Sequence, residues 1–253
     1  MQTPFIDSTA TWRKVLAQAN TKIVCLDFDG TIWSDILVEL NEKFGPTDEV
    51  TGEKIWHRYD HAFKVAKTMT NGDHLQAEYD DIFATKSLAQ VIAYLESQHK
   101  LIDGVVDFLA FLKRSNITPI GITNGASQIA EAMLKHHGID MLFVGNKLVQ
   151  FPNRPLPTLE FFHDGDNGID KGRLLREASD LGHQVVAFAG DSRGDISGAV
   201  ECAKLGGLVL ASGANGGLAQ FCASNLPGGS YVTYETFDAK LMQVIQQRLT
   251  NEQ

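Results

Sequence analysis

The string Asp27-Phe28-Asp29-Gly30-Thr31 places two carboxylates one residue apart. Where the backbone is extended, side chains at i and i+2 leave it on the same side, so Asp27 and Asp29 can converge on one cation while Phe28 points elsewhere. Gly30 then lets the chain turn sharply. Average composition makes such a string a chance event in roughly a few of every thousand chains this long. Three further clusters invite the same reading: Thr123-Asn124-Gly125, Gly190-Asp191-Ser192-Arg193-Gly194-Asp195, and Lys171 within Ile169-Asp170-Lys171-Gly172-Arg173. Asp191, with Asp195 behind it, supplies the additional carboxylate oxygens a hard cation needs. Mg²⁺ fits best, because it takes one or two carboxylates together with substrate phosphate oxygens. Thr123 and the amides of Asn124 and Gly125, at a helix N-terminus, offer donors to an anion, and Lys171 adds positive charge. The chemistry within reach is phosphoryl transfer to a carboxylate. One aspartate attacks phosphorus in line while cation, lysine and amides stabilise the equatorial oxygens. The second protonates the leaving oxygen and then activates water, a role that requires a raised pKa. Each piece alone has an ordinary structural role as a turn, a helix cap or a solvated helix residue.

Such a set works only if the fold brings it together. Short apolar runs at 23–26, 117–122, 141–144, 184–189, 205–210 and 231–233 predict strands, and helical periodicity at 125–137, 171–181, 196–203 and 216–223 predicts helices between them. The alternation implies an α/β fold with a Rossmann-like, mainly parallel sheet. In such sheets ligands bind beyond the carboxyl ends of the strands. Asp27, Thr123 and Asp191 each follow one of these runs, and Lys171 opens the helix leading into the run at 184–189. The pattern breaks at 34–100, where only helical segments are legible, at 36–44, 50–68 and 87–98, with joints at Gly45-Pro46 and Asn71-Gly72. The expected organisation is an α/β core of 1–33 and 101–253 carrying an all-helical insertion at 34–100. Prolines at 152, 155 and 157 and the polar run at 163–167 predict a loop over 148–168 with room for one short hairpin.

Composition bounds the partners. Asp plus Glu number 31 against 22 Lys plus Arg, a formal net charge of −9, which makes nucleic acid and anionic membrane poor partners. Hydrophobic residues at 43% and charged residues at 21% are enough for a core. Cys25, Cys202 and Cys222 show neither disulfide nor zinc spacing. No apolar run approaches a membrane span and 1–22 has no signal-peptide core, so a cytoplasmic setting is expected.

In this order, the four clusters resemble the four motifs of the haloacid dehalogenase (HAD) superfamily of phosphohydrolases across nearly the whole chain. The resemblance implies that Asp27 is the nucleophile forming an aspartyl-phosphate and that Asp29 is the general acid/base, also binding metal through its backbone carbonyl. It further implies that Thr123 orients the phosphoryl group, Lys171 stabilises the phospho-aspartate, Asp191 is a metal ligand and Asp195 a ligand or supporting partner. The insertion resembles the helical cap of the phosphoserine-phosphatase-like branch. A carboxylic acid at Asp29 separates phosphatases and phosphomutases from true dehalogenases. The implied function is a Mg²⁺-dependent phosphatase acting on a small-molecule phosphate ester beneath the cap. The alternatives are a phosphomutase or phosphotransferase of the same superfamily, or a phospho-aspartate switch without turnover.

Substrate contacts are expected from the insertion. Trp33 and Glu39 are the leading candidates beyond Thr123, Asn124, Gly125 and Lys171, with Asp35, Arg58, Trp56 and Tyr59 nearby in sequence. His57 and His61 have metal-pair spacing but lack the glutamate partner of a zinc helix, and read as a solvated face. The segment 163–170 reads as a surface turn, since it lacks a terminal calcium-binding Glu, and the glycines at 213–217 lack the lysine of a P-loop.

Overall fold

The computed structural model describes residues 7–98, 100–152, 155–162, 168–213 and 216–251. The run at 163–167 and the centre of the 213–217 glycine segment lie outside the described residues, as do residues 1–6. Seven strands form one sheet: β1 (Lys22–Leu26), β2 (Ile117–Ala126), β3 (Leu142–Val149), β4 (Thr158–Glu160), β5 (Gln184–Gly190), β6 (Leu208–Ser212) and β7 (Tyr231–Tyr234). Their order is β4-β3-β2-β1-β5-β6-β7. All neighbours are parallel except β3 and β4, which form the short hairpin allowed for at 148–168. β1 lies between β2 and β5, so the chain winds outward in both directions from it. The crevice for a ligand therefore opens beyond the ends of β1, β2 and β5.

The helices are α1 (Ser8–Leu16), α2 (Ile36–Phe44), α3 (Trp56–His61), α4 (Asn71–Phe83), α5 (Leu88–Glu96), α6 (Val105–Arg114), α7 (Ser127–His136), α8 (Lys171–Asp180), α9 (Ile196–Lys204), α10 (Gly217–Asn225) and α11 (Ala239–Asn251). A π-helical turn, Ala62–Ala66, continues α3. Alternation along β1 assigns the two faces: Ile23 and Cys25 join one buried cluster with α1, α8, α9 and α10, while Val24 and Leu26 join the other. A register shift of β5 against β1 carries Val186 and Ala187 together onto the second face. Leu40, Tyr79, Ile82, Val91 and Leu95 of the helical insertion belong to that same second cluster, so the insertion packs continuously with the sheet's helices.

Several boundaries depart from the sequence expectations for identifiable reasons. The helix expected over 50–68 begins only at Trp56, because the Asp48 carboxylate accepts the amides of Val50 and Thr51 at 2.9 and 2.8 Å and Gly52 turns at φ 73°. Asn71-Gly72, expected as a joint, is the first turn of α4, because the Thr70 side chain accepts the Asp73 amide at 3.1 Å and caps the helix. The helix expected from 125 begins at Ser127. Asn124 and Gly125 instead bulge out of the β2 ladder, which pairs Thr123 with Gly145 and then Ala126 with Asn146. No helix among the described residues is long and apolar enough to cross a membrane.

Candidate active site

Each expected catalytic side chain stands at or near the end of a strand. Asp27 leaves β1 with its amide bonded to the Ala189 carbonyl at 2.9 Å, which pins it beside β5. Phe28 turns into the core and meets Phe143 edge-on at 5.7 Å, freeing the two flanking aspartates to face the crevice. Gly30 reverses the chain at φ 76°, and its amide bonds the Trp33 carbonyl at 2.8 Å. A Cβ there would meet Asp191 Oδ2 at 2.5 Å, so the missing side chain is what lets Asp191 approach the first loop.

Lys171, the first residue of α8 and 1% exposed, bridges two carboxylates: its Nζ lies 2.5 Å from Asp27 Oδ1 and 2.6 Å from Asp195 Oδ1. Asp195 is fully buried, and its other oxygen accepts the amides of Asp191 and Ser192 at 3.1 and 3.0 Å. Asp195 thereby fixes both the lysine and the turn carrying Asp191. Asp27, Asp191 and Asp195 each offer an oxygen within 4.8 Å of the others, an all-oxygen donor set that fits a hard divalent cation. Asp191 is the free member, since its side chain accepts no hydrogen bond from any other described residue.

Burial and crowding raise the acidic groups. Asp27 is pushed well above the carboxylate range by burial and by Asp195, with Lys171 pulling the other way. Asp191 is raised to about 7 by burial and then Asp195. Burial would depress Lys171, but Asp195 and Asp27 together outweigh it and keep the ammonium charged. Asp29 is raised to about 7 by burial and Asp35, against the pull of the Ile36 amide that donates to its Oδ1 at 3.0 Å. A carboxyl poised near neutrality can give and take a proton.

Near the carboxyl end of β2, Thr123 Oγ1 accepts the Gly125 amide at 2.9 Å. That amide, expected to hold an anion, is therefore already engaged. The Ala126 amide donates to the Tyr79 hydroxyl at 3.0 Å. Asn124 serves the scaffold with its own groups: its Oδ1 accepts the Ile169 amide at 2.8 Å and its carbonyl accepts Asn146 Nδ2 at 2.6 Å. This tether holds the segment that delivers Lys171. A Cβ on Gly125 would lie 3.3 Å from both Asp29 Oδ2 and Thr123 Oγ1, so the bulge passes close against these two groups.

A cavity of about 670 Å³ opens over the cluster, with Asp27, Asp29, Lys171 and Asp191 on its core side and Phe63, Lys64, Lys67 and Asn71 on its helical side. Trp33 and Glu39, expected in the substrate pocket, are elsewhere. Trp33 is fully buried in the core beside His137 because the Gly30 turn folds it inward, and Glu39 faces Lys100 at 3.2 Å. Arg58 pairs with Asp48, Trp56 Nε1 donates to Glu42 at 2.9 Å, and the Tyr59 hydroxyl donates to Asp81 at 3.0 Å, so these too serve the insertion itself. His57 lies against Trp56, with ring centroids 4.1 Å apart. Sequence reasoning missed Tyr79, which reaches from the insertion to the β2 bulge, and the wall residues Phe63, Lys67 and Asn71. The Thr70-to-Asp73 cap would have revealed α4 and with it Tyr79; the helical period over 50–68 does not disclose the widened turn at 62–66 or the left-handed residue that ends it.

A family model for haloacid dehalogenase-like hydrolases matches residues 21–202. The chain belongs to this family. The match contains the ends of β1, β2 and β5 and the start of α8, where the clustered residues stand. Among solved structures, the chain is similar to a HAD family hydrolase from Salmonella enterica serovar Typhi, with TM-score 0.64, 11% identity, and 90% of this chain and 72% of that one covered. It is also similar to a probable phosphoserine phosphatase from Vibrio cholerae, with TM-score 0.63, 11% identity and coverage of 92% and 68%. A phospho-aspartyl intermediate analogue of phosphoserine phosphatase gives TM-score 0.56 at 15% identity, covering 89% and 98%. At these identities the likeness is one of fold: a HAD core with an inserted helical cap. No curated protein matches the chain.

Proposed function

We propose that this HAD hydrolase is a Mg²⁺-dependent phosphatase that cleaves a small-molecule phosphomonoester through an aspartyl-phosphate at Asp27, beneath a cap formed by 34–100. The observation that carries the reading is the buried Lys171 held between Asp27 and Asp195, with the unbonded Asp191 carboxylate in the same cluster. A cation between Asp27 and Asp191, with the Asp29 carbonyl, would neutralise charge that otherwise repels a phosphate dianion.

The residues divide the work. An Asp27 oxygen bonds phosphorus as the ester P–O bond breaks, and Asp29, poised near neutrality, passes its proton to the departing oxygen. Asp29, now ionised, takes a proton from water that attacks phosphorus, releasing inorganic phosphate and restoring the Asp27 carboxylate. Lys171 and Thr123 hold the phosphoryl oxygens in line, while Asp195 keeps Lys171 aimed at the nucleophile. Asn124 and Gly125 contribute through the shape of the bulge. Release of nitrophenol from p-nitrophenyl phosphate tests the reading: turnover requires Mg²⁺, stops with chelator, and is lost in Asp27→Asn. A folded, Mg²⁺-loaded protein that hydrolyses neither this ester nor any of a broad phosphomonoester panel contradicts it.

A further inference from the structure

Among the described residues, only Lys67 and Asn116 combine a side chain with left-handed backbone, at φ 55° and 57°. Asparagine tolerates that geometry and glycine adopts it freely, whereas lysine is strained there. Lys67 ends the π-helical turn Ala62–Ala66, and its Nζ lies 5.6 Å over the Phe63 ring. Both side chains line the same cavity as Asp27, Asp29 and Asp191. Left-handed non-glycine residues and widened helical turns cluster at functional sites.

The charges around the cavity show what it is needed for. Lys171 is committed to Asp27 and Asp195, and Lys64 to Asp60 at 2.6 Å. Lys67 and Arg193, both lining the cavity, have no carboxylate partner among the described residues. Asn71 also lines it, with its Nδ2 buried and lacking a hydrogen-bond partner. Asp35, which also lines the cavity, caps α2 through the Val38 amide at 3.1 Å. The cap wall thus offers unpaired positive charge and a spare N–H donor, which together suit a compact anion.

We propose that Lys67 reads the departing part of the substrate: the phosphomonoester carries a second anionic group, carboxylate or phosphate, away from the reacting phosphorus, and Lys67 is the residue that selects it. This rests on the phosphatase reading and names its substrate class. The test compares kcat/KM of the Mg²⁺-loaded protein on glycerol phosphate (neutral tail), phosphoethanolamine (cationic), phosphoglycerate (carboxylate) and propanediol bisphosphate (phosphate), with p-nitrophenyl phosphate as reference. The expected result is a preference of about tenfold or more for one or both anionic tails over the neutral one. The preference survives in Lys67→Arg, collapses toward unity in Lys67→Gln, and turns toward the cationic tail in Lys67→Glu. Which anionic ester wins distinguishes carboxylate from phosphate. Lys67→Gly, relieved of the left-handed strain, melts no lower than the parent while losing the preference; a fall in both would indicate a packing role and overturn the proposal. Turnover of p-nitrophenyl phosphate without any tail preference, or with one that persists in Lys67→Gln, overturns the assignment of Lys67 and leaves the phosphatase reading standing. No turnover of any ester removes both.

Discussion

Asp29 and Asp191, on the core side of the cleft, are raised to about 7 by burial and neighbouring carboxylates, whereas Asp48, in the helical cap, is held down to about 2 by the Thr51 and Val50 amides and Arg58. The floor concentrates like charges where water is scarce, and no other described residue donates a hydrogen bond to the Asp191 carboxylate. The cap pairs Asp48 with Arg58 and Lys64 with Asp60, while Lys67, on the cavity wall, has no carboxylate partner among the described residues. The difference teaches where each region finds its missing partner. The floor is short of positive charge, which is where the proposed metal would bind, and the cap wall is short of negative charge, which is where the proposed substrate anion would bind.

The comparison can be broken in several places. The largest effect is expected for Asp27→Asn, with kcat reduced on the order of a thousandfold or more while the fold is retained. If a cap variant lost as much on p-nitrophenyl phosphate, the division between chemistry on the floor and selection on the wall would fail. Next comes Lys171→Met, which leaves the buried Asp27 and Asp195 facing each other without a counter-charge. Urea denaturation without metal should show a loss of about 3 kcal/mol or more, partly recovered by Mg²⁺. An unchanged midpoint would show that the lysine does not hold the cluster together.

Tyr79→Phe sharpens the account where the two regions meet. It strips the Ala126 amide of its acceptor, so we expect about 1 kcal/mol less stability and a fall in kcat larger than any rise in KM, because the bulge beside Thr123 and Asp29 loosens. A pure KM effect would place Tyr79 in substrate binding instead.

The two regions should also respond oppositely to pH. In the metal-free protein Asp29 and Asp191 bind protons more tightly folded than unfolded, so their contribution to stability falls as pH rises from about 4 to about 7. Mg²⁺ binding should therefore strengthen through that range and release protons, which calorimetry in buffers of different ionisation enthalpy measures directly. Proton-independent binding would contradict the raised values. Asp48 behaves in the reverse sense, and this is the smallest effect expected. Its contribution is present above the unfolded value of about 4 and is lost as pH falls toward about 2. Asp48→Ala should lower the melting temperature slightly at pH 7 and not at pH 2.

How much of this was legible in the sequence follows the same division. The floor could be read because its residues sit directly after apolar runs: Asp27 and Asp191 follow β1 and β5, Thr123 lies near the end of β2, and Lys171 opens α8. The mixed α/β sheet with its helical insertion followed from the same alternation. β4 is legible only as one arm of a short hairpin within 148–168, and helices α1, α4, α6 and α11 leave no clear trace in the pattern. The wall was legible only as helix within 50–68; the widened turn at 62–66 and the left-handed Lys67 that ends it, which set which side chains face the cavity, leave no mark on that period. Trp33 and Glu39 attracted attention as large or acidic residues near the first motif, but the Gly30 turn and the Lys100 pair draw them away from the cavity. Tyr79 escaped because its role depends on a contact spanning 47 residues.

The central claim is that Asp27 carries the phosphoryl group during turnover. Rapid quenching of the Mg²⁺-loaded protein with its best phosphomonoester, followed by borohydride reduction and peptide mass mapping, tests it most directly. The account expects the reduced acyl-phosphate adduct at position 27, formed within one turnover and missing from Asp27→Asn and from chelator-treated protein. Sustained hydrolysis with no adduct at any rapid time point, or with the adduct on another residue, would contradict it.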